Sequence, residues 1–256
     1  VTDSPRAVVL DVEGTTTPVA FVHEVLFPFA AERVESFLDE HREAADVHAE
    51  LHALWREYAA DPDAPRDWAG GVEDRAGAAR YVRWLIEHDR KATPLKALQG
   101  RMWEQGYRSG ELVSHVYPDV PGALERWRAA GATIAIFSSG SVLAQQLIFE
   151  HSDAGNLRAL VDAHFDTNVG AKREAGSYRR IVEELGVAAG DALFVSDVVE
   201  ELDAARAAGL ATALCVRDGD GPAPGGHPVV TGFDALAPQP SSSTRSATDP
   251  TMREAR

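Results

Sequence analysis

Cysteine is almost absent from this 256-residue chain, where Cys215 stands alone. A single thiol cannot close an intrachain disulfide, which fits a reducing compartment. No apolar run approaches the roughly 20 residues of a membrane-crossing helix, and the opening stretch "VTDSPRAVVLD" lacks the apolar core of a signal peptide. A cytoplasmic protein with no membrane partner is therefore expected. Positive charge is also scarce, with 25 Lys and Arg against 40 Asp and Glu and a net charge of −15. That balance repels DNA, RNA and anionic lipid, so no nucleic-acid partner is expected. An anionic small molecule would need a local device, either a metal or a few placed cations. Walker loops, GxGxxG, GxSxG and CxxC motifs are all missing.

What the chain does have is a set of short, fully apolar, β-rich runs. "AVVL" (7–10), "ATIAIF" (132–137), "AHFD" (163–166), "ALFV" (192–195) and "TALCV" (212–216) read as strands buried on both faces. Helical segments alternate with them: "PGALERWRAAG", then 142–151, 177–185 and 200–208. This order predicts an α/β fold with a parallel, Rossmann-like sheet covered on both sides. Between the first two strands lie about a hundred residues of strong 3.6-residue periodicity, too many for one crossover. They include "VLFPFAAERVESFLDEH", "DVHAELHALWREYAA", "RAGAARYVRWLIEHD" and "PLKALQGRMWEQGYRSG". The organisation expected is an α/β catalytic core of residues 1–18 and 118–237, an inserted all-helical cap of 19–117, and a disordered tail of 238–256.

Polar groups collect where the strands end. Asp11 and Glu13 follow the first strand in "LDVEGTTTP", Ser138 and Ser139 follow the second in "SSGS", and Lys172 lies in the loop after the third. The fourth ends in "FVSDVVEE", which brings Ser196 and Asp197 to its tip with Glu201 beyond. Each feature has an ordinary explanation: a capping acid, an N-cap serine, a solvated lysine. In a parallel sheet, however, all of these tips share one edge, where ligands bind. Crowded carboxylates need a cation among them, and hard oxygen ligands beside a phosphate suit Mg²⁺. The set points to phosphoryl transfer on a small phosphorylated metabolite.

Asp-x-(Asp/Glu)-Gly-Thr, a serine after the second strand, a lysine, and Ser-Asp with downstream acids together resemble the four-part signature of the haloacid-dehalogenase superfamily. "LDVEGTTTP", "FVHEVLFP", "TPLKALQGRMWEQGY", "HVYPDVPGAL", "FSSGSVLAQQLIFEHS" and "FDTNVGAKREAGSYRRI" resemble the enolase-phosphatases of methionine salvage over roughly residues 7 to 216. The resemblance implies enolisation and then dephosphorylation of 2,3-diketo-5-methylthiopentyl 1-phosphate to an acireductone. It also implies Asp11, Glu13 and Asp197 as ligands of one Mg²⁺ per subunit and Ser138, Ser139 and Lys172 as phosphate binders. Asp11 would be the nucleophile, Glu13 the proton carrier, and Glu201 a supporting acid. Glu13 stands where the superfamily usually has Asp, as it does in the enolase-phosphatases. The enolisation base is not identified by sequence, and Lys91, Lys96 and Arg101 of the cap are the first positions to examine. A monomer is expected.

Rival readings are a general sugar- or small-metabolite phosphatase, a dehalogenase, and a non-catalytic phosphate sensor. His48 and His52 lack the HExxH order and read as a solvated helix face. "RDGDGPAPGG" reads as a flexible turn, and the insert's tryptophans (Trp55, Trp68, Trp84 and Trp103) read as core.

Overall fold

A computed structural model of the chain describes residues 5–217, 219 and 221–236. The expected tail, 238–256, lies outside them. Among the described residues six strands form one parallel sheet: β1 (Ala7–Leu10), β2 (Thr133–Phe137), β3 (Ala163–Phe165), β4 (Ala192–Ser196), β5 (Ala211–Cys215) and β6 (Val229–Val230). Their order is β3-β2-β1-β4-β5-β6. β1 is central, with Val9 opposite Ala135 on one side and Phe194 on the other. The chain steps outward from β1 to β3, then crosses back to place β4 on β1's other side. A parallel sheet opens a crevice at such a reversal.

The alternation of side chains divides the core in two. Val8, Leu10, Ile134, Ile136, Leu193 and Val195 join one apolar cluster. Ala7, Val9, Ala135, Phe137, Ala192 and Phe194 face the other. Helices α6 (Val120–Ala129) and α7 (Val142–Glu150) cover the first face, and α8 (Ala175–Glu184) and α9 (Val199–Ala207) the second. Neither face of the central strands meets water, which is why they carry unbroken apolar runs.

Five helices occupy the long connection from β1 to α6: α1 (Val19–Phe21), α2 (Phe27–Glu40), α3 (Ala45–Ala60), α4 (Arg75–Glu87) and α5 (Thr93–Ser109). A π-helical stretch, Val22–Leu26, joins α1 to α2. The helical layer thus begins at Val19. Trp68 is the hub of this layer, packed among Trp55, Tyr58 and Tyr81 with ring centroids 4.9, 5.1 and 5.9 Å away. Its indole N–H donates to the Gly71 carbonyl at 2.8 Å. The apolar cluster on the first sheet face continues without a break into these helices.

The sequence did not reveal β6. It follows a Gly- and Pro-rich loop and has two residues, too few to show alternation. Nor did it reveal the role of Arg217, which lies where β5 leaves the sheet. Arg217 donates to the Thr15 carbonyl at 2.6 and 2.9 Å and to both Asp119 oxygens at 2.7 and 2.8 Å. Its guanidinium lies between the rings of Tyr117 and Phe233, 4.2 and 4.6 Å from their centroids. This one side chain ties the loop after β1 to the segment by which the chain returns from the helical layer. Replacing Arg217 by Met would leave Asp119, whose side chain is only 14% exposed, without its cation, and breaking a buried pair in this way costs about 3–5 kcal/mol. Urea denaturation of Arg217→Met should show a loss of that size, and a loss under about 1 kcal/mol would mean that the pair is dispensable.

Candidate active site

The site is built at the carboxyl edge of the sheet, around the switch between β1 and β4. Asp11 is the first residue past β1 and is buried. Its own N–H donates to the Val195 carbonyl at 3.0 Å, which continues the ladder and fixes where the carboxylate emerges. Oδ1 accepts from the Val12 N–H at 2.7 Å and lies 2.7 Å from the Lys172 ammonium. Oδ2 receives the Ser196 hydroxyl at 3.3 Å.

Lys172 lies between two acids. Its ammonium is 2.7 Å from Asp11 and 2.6 Å from Glu201, and all three side chains are about 90% or more enclosed. Burial pulls its pKa down, but the two carboxylates outweigh burial and hold the ammonium above its ordinary value. Glu201 is held in turn by the Ser196 hydroxyl at 3.0 Å. Burial first, and then Asp11, push the Glu201 carboxyl upward against the pull of Lys172. The backbone behind Lys172 is anchored where the Tyr178 hydroxyl donates to its carbonyl at 2.7 Å.

The loop after β1 turns back sharply. Gly14 has φ +70°, its N–H donates to Thr17 O at 2.8 Å, and a Cβ placed on it would meet Asp197 Oδ2 at 2.2 Å. Glycine is therefore what lets the carboxylate from β4 close against the loop from β1. Burial, and next Asp11, raise Asp197 to about 6. Glu13 is raised by the same two causes, in the same order, against Lys91, His23 and Lys172.

On the other side of Asp11, β2 runs into Ser138-Ser139-Gly140-Ser141. Ser141 caps α7 by accepting the Ala144 N–H at 3.3 Å. The cap thus accounts for one serine, and Ser138 and Ser139 remain free for other work. Ser138 is buried, and its hydroxyl oxygen accepts the Gly140 N–H at 3.1 Å, which leaves its own proton to donate. Gln145 braces the turn, donating to the Gly140 and Phe165 carbonyls at 3.0 and 2.9 Å.

A cavity opens from this edge toward the helical layer. Its floor is Glu13 with Ser138 to Ser141, and its walls include Val22, Leu26, Phe27, Leu85, Trp103 and Ile148. Val22 and Leu26 come from the π-helical stretch, a local feature that recurs at functional sites. Lys91, Lys96 and Gln99 also line it. Arg101 does not, being engaged with Asp46 on an outer face. Trp103 belongs to the core, as expected, and also lines this cavity, its indole N–H donating to the Leu26 carbonyl at 2.8 Å. His48 contacts the Arg42 carbonyl.

The structure therefore brings Asp11, Lys172 and Glu201 into direct contact, sets Glu13 and Asp197 beside Asp11, and places Ser138 and Ser139 on the cavity floor. The acids fit a divalent cation by their chemistry, being oxygen donors crowded where burial, and then repulsion from Asp11, raises Glu13 and Asp197. Among the described residues no three of them already converge as a finished cage.

A family model described as haloacid dehalogenase-like hydrolase matches residues 5–209. Enolase-phosphatase E1 of Synechococcus elongatus is 51% identical over 218 residues, covering 85% of this chain and 91% of its own length. The protein of the same name from Pseudomonas syringae is 49% identical over 233 residues, covering 91% and 97%. Among solved structures, the Unknown transcript 4 protein of Saccharomyces cerevisiae superposes with a TM-score of 0.73 at 32% identity, covering 91% of this chain and 100% of that one. A dehalogenase at 21% identity and a TM-score of 0.54 shares the fold.

The contact between Gly14 and Asp197 is open to a double-mutant test. Gly14→Ala should cost about 2 kcal/mol, from the left-handed backbone and the clash together. In an Asp197→Ala background the clash is gone, so the same change should cost about half as much. Equal costs in both backgrounds, by urea denaturation, would show that the carboxylate does not press on the loop.

Proposed function

The chain belongs to the enolase-phosphatases of the haloacid dehalogenase-like hydrolases, and from that premise we propose how its residues divide the two half-reactions. The enzyme converts 2,3-diketo-5-methylthiopentyl 1-phosphate to an acireductone and phosphate. The observation that carries the assignment is Asp11, a buried carboxylate fixed by Lys172, Val12 N–H and Ser196 beside a cavity floored by Ser138 and Ser139.

Asp11 is the nucleophile. Its Oδ1 is occupied by two donors, which leaves Oδ2, with one long hydrogen bond, as the attacking oxygen. Attack on phosphorus forms an aspartyl-phosphate while the ester oxygen departs. Lys172, the Ser138 and Ser139 hydroxyls and the amides opening α7 bind the phosphate and carry its growing charge. Glu201 and Ser196 position Lys172 and do not touch substrate.

Glu13 carries protons. In enolisation a proton leaves the carbon bearing the phosphoester; the C–H pair becomes the new C=C bond and the carbonyl pair moves onto oxygen. Glu13 takes that proton, gives one to the departing ester oxygen, and later takes one from the water that cleaves the aspartyl-phosphate. Its raised pKa suits both directions of transfer. Asp11, Glu13 and Asp197 would hold Mg²⁺, which when bound supplies positive charge to the phosphate and to the enolate oxygen. The helices from α1 to α5 act as a cap whose apolar wall takes the methylthio end and excludes water. A monomer in the cytoplasm completes the reading. Among the described residues no helix is long and apolar enough to cross a membrane.

Two signals, enol absorbance and free phosphate, test these roles on the diketo phosphate. Chelation should stop turnover and Mg²⁺ restore it; full activity in excess chelator would remove the metal from the mechanism. Asp11→Asn keeps the side chain's size but loses the nucleophile, so phosphate release should fall by several powers of ten. Unchanged release would reject covalent catalysis. Glu13→Gln should slow both signals, and enolisation at the normal rate would confine Glu13 to the phosphatase step. A panel of sugar phosphates turned over as fast as the diketo phosphate would favour the general phosphatase.

A further inference from the structure

The cap contributes polar groups to the cavity that phosphoryl transfer does not use. Gln99 is 5% exposed, lines the cavity from α5, and makes no hydrogen bond to any described residue. Its amide therefore stands open to the cavity, free to pair with a ligand there. Lys96 stands one helical turn earlier on the same face of α5 and lines the same cavity. It makes no ion pair among the described residues, although Lys91 and Asp166 lie within electrostatic reach. Residues three apart on a helix are neighbours about 5–6 Å apart at Cβ, so their two heads reach one ligand together. Leu95 and Trp103 flank them, and Asp89, Arg90 and Lys91 line the same cavity.

Two donors at this spacing, opposite the phosphate floor, match two adjacent carbonyl oxygens. We propose that Gln99 and Lys96 are the specificity residues for the vicinal dicarbonyl, the Gln99 amide donating to one carbonyl oxygen and the Lys96 ammonium to the oxygen on which enolate charge develops. This rests on the phosphate end sitting at Ser138, Ser139 and Lys172, and it extends that reading to the other end of the substrate. In the enolisation described above, the carbonyl pair arrives on the oxygen facing Lys96 while the proton leaves to Glu13. Lys96 therefore stabilises the developing charge and is not the base. Burial pulls the Lys96 pKa down from its ordinary value, followed by Lys91, while Asp166 opposes both. In a partly desolvated site a charged donor of this kind is worth more than in water.

A phosphonate analogue, in which a C–P bond replaces the ester linkage, isolates the effect because it blocks phosphate release. Two ligands, pentylphosphonate and its 2,3-dioxo counterpart, would be titrated by calorimetry into the full chain with Mg²⁺. Enol absorbance on the dioxo ligand would be followed in parallel. The unsubstituted chain should bind the dioxo ligand at least tenfold more tightly. Gln99→Leu and Lys96→Met should each remove most of that preference while leaving pentylphosphonate binding unchanged, which also shows that the variants fold. Lys96→Met should slow enolisation about a hundredfold, with partial rescue in Lys96→Arg. A preference that survives both substitutions, or enolisation unaffected by Lys96→Met, would overturn the assignment with the phosphate site intact. Failure of pentylphosphonate to bind the unsubstituted chain would instead overturn the phosphate site, and this inference with it.

Discussion

A single buried ammonium holds the site together. Lys172 sits between Asp11 and Glu201, and without it two carboxylates would face each other in a space nearly closed to water. Neither acid could stay ionised there at modest cost, because an unpaired buried charge is penalised by several kcal/mol. The arrangement thus keeps a nucleophile charged inside the protein, which solvent would otherwise have to do. Under the proposed function, the oxygens of an arriving phosphate would share Lys172 and loosen its hold on Asp11. Glu201 stays behind as the permanent counter-charge, steadied by Ser196.

Everything around that contact determines how closely loops from different strands can approach. The switch between β1 and β4 brings Asp11 and Ser196 together because the two strands are hydrogen-bonded neighbours. Gly14 removes the one Cβ that would keep Asp197 away. Arg217 reaches across 202 residues of sequence to hold the Thr15 carbonyl, so the loop carrying Glu13 is fixed at its far end too. The crowding of Asp11, Glu13 and Asp197 is therefore imposed by the backbone. Under the proposed function, that repulsion is what a divalent cation would relieve.

How much of this was legible follows from the range of each interaction. The strands and their polar tips could be read because burial on both faces writes a continuous apolar run, and the run's end marks the sheet edge. The phosphate-side residues each follow such a run closely, so their convergence follows from topology alone. Glu201 could be placed only as an acid downstream, since its contact with Lys172 depends on how α9 starts. The π-helical turn of Val22–Leu26 leaves no mark, because its side chains fit ordinary helical periodicity. Arg217 looked like one more charge near a turn, and its partners come from three distant segments. Gln99 is the clearest case. On a helix rich in Arg, Glu and Gln, a glutamine reads as solvated surface, and only the packing of α5 over the sheet edge encloses it.

The two sides of the cavity also differ in kind. On the sheet side the charged groups are mutually paired and held by backbone, so that end is set before ligand arrives. On the helical side the wall is aliphatic and aromatic, with the heads of Lys91, Lys96 and Gln99 set into it. A phosphate on a short carbonyl-bearing chain with an apolar end matches that gradient in one orientation: anion to the sheet, oxygens to the middle, thioether to the helices. In the reverse orientation the thioether would cover the polar groups of the sheet side, which would lose solvation without gaining a partner. The same gradient explains why one chain can run both half-reactions without moving the substrate. The carbon that loses a proton and the phosphorus that is attacked are separated by one oxygen, which is what allows Glu13, lining the cavity two residues from Asp11, to be proposed as the proton carrier for both.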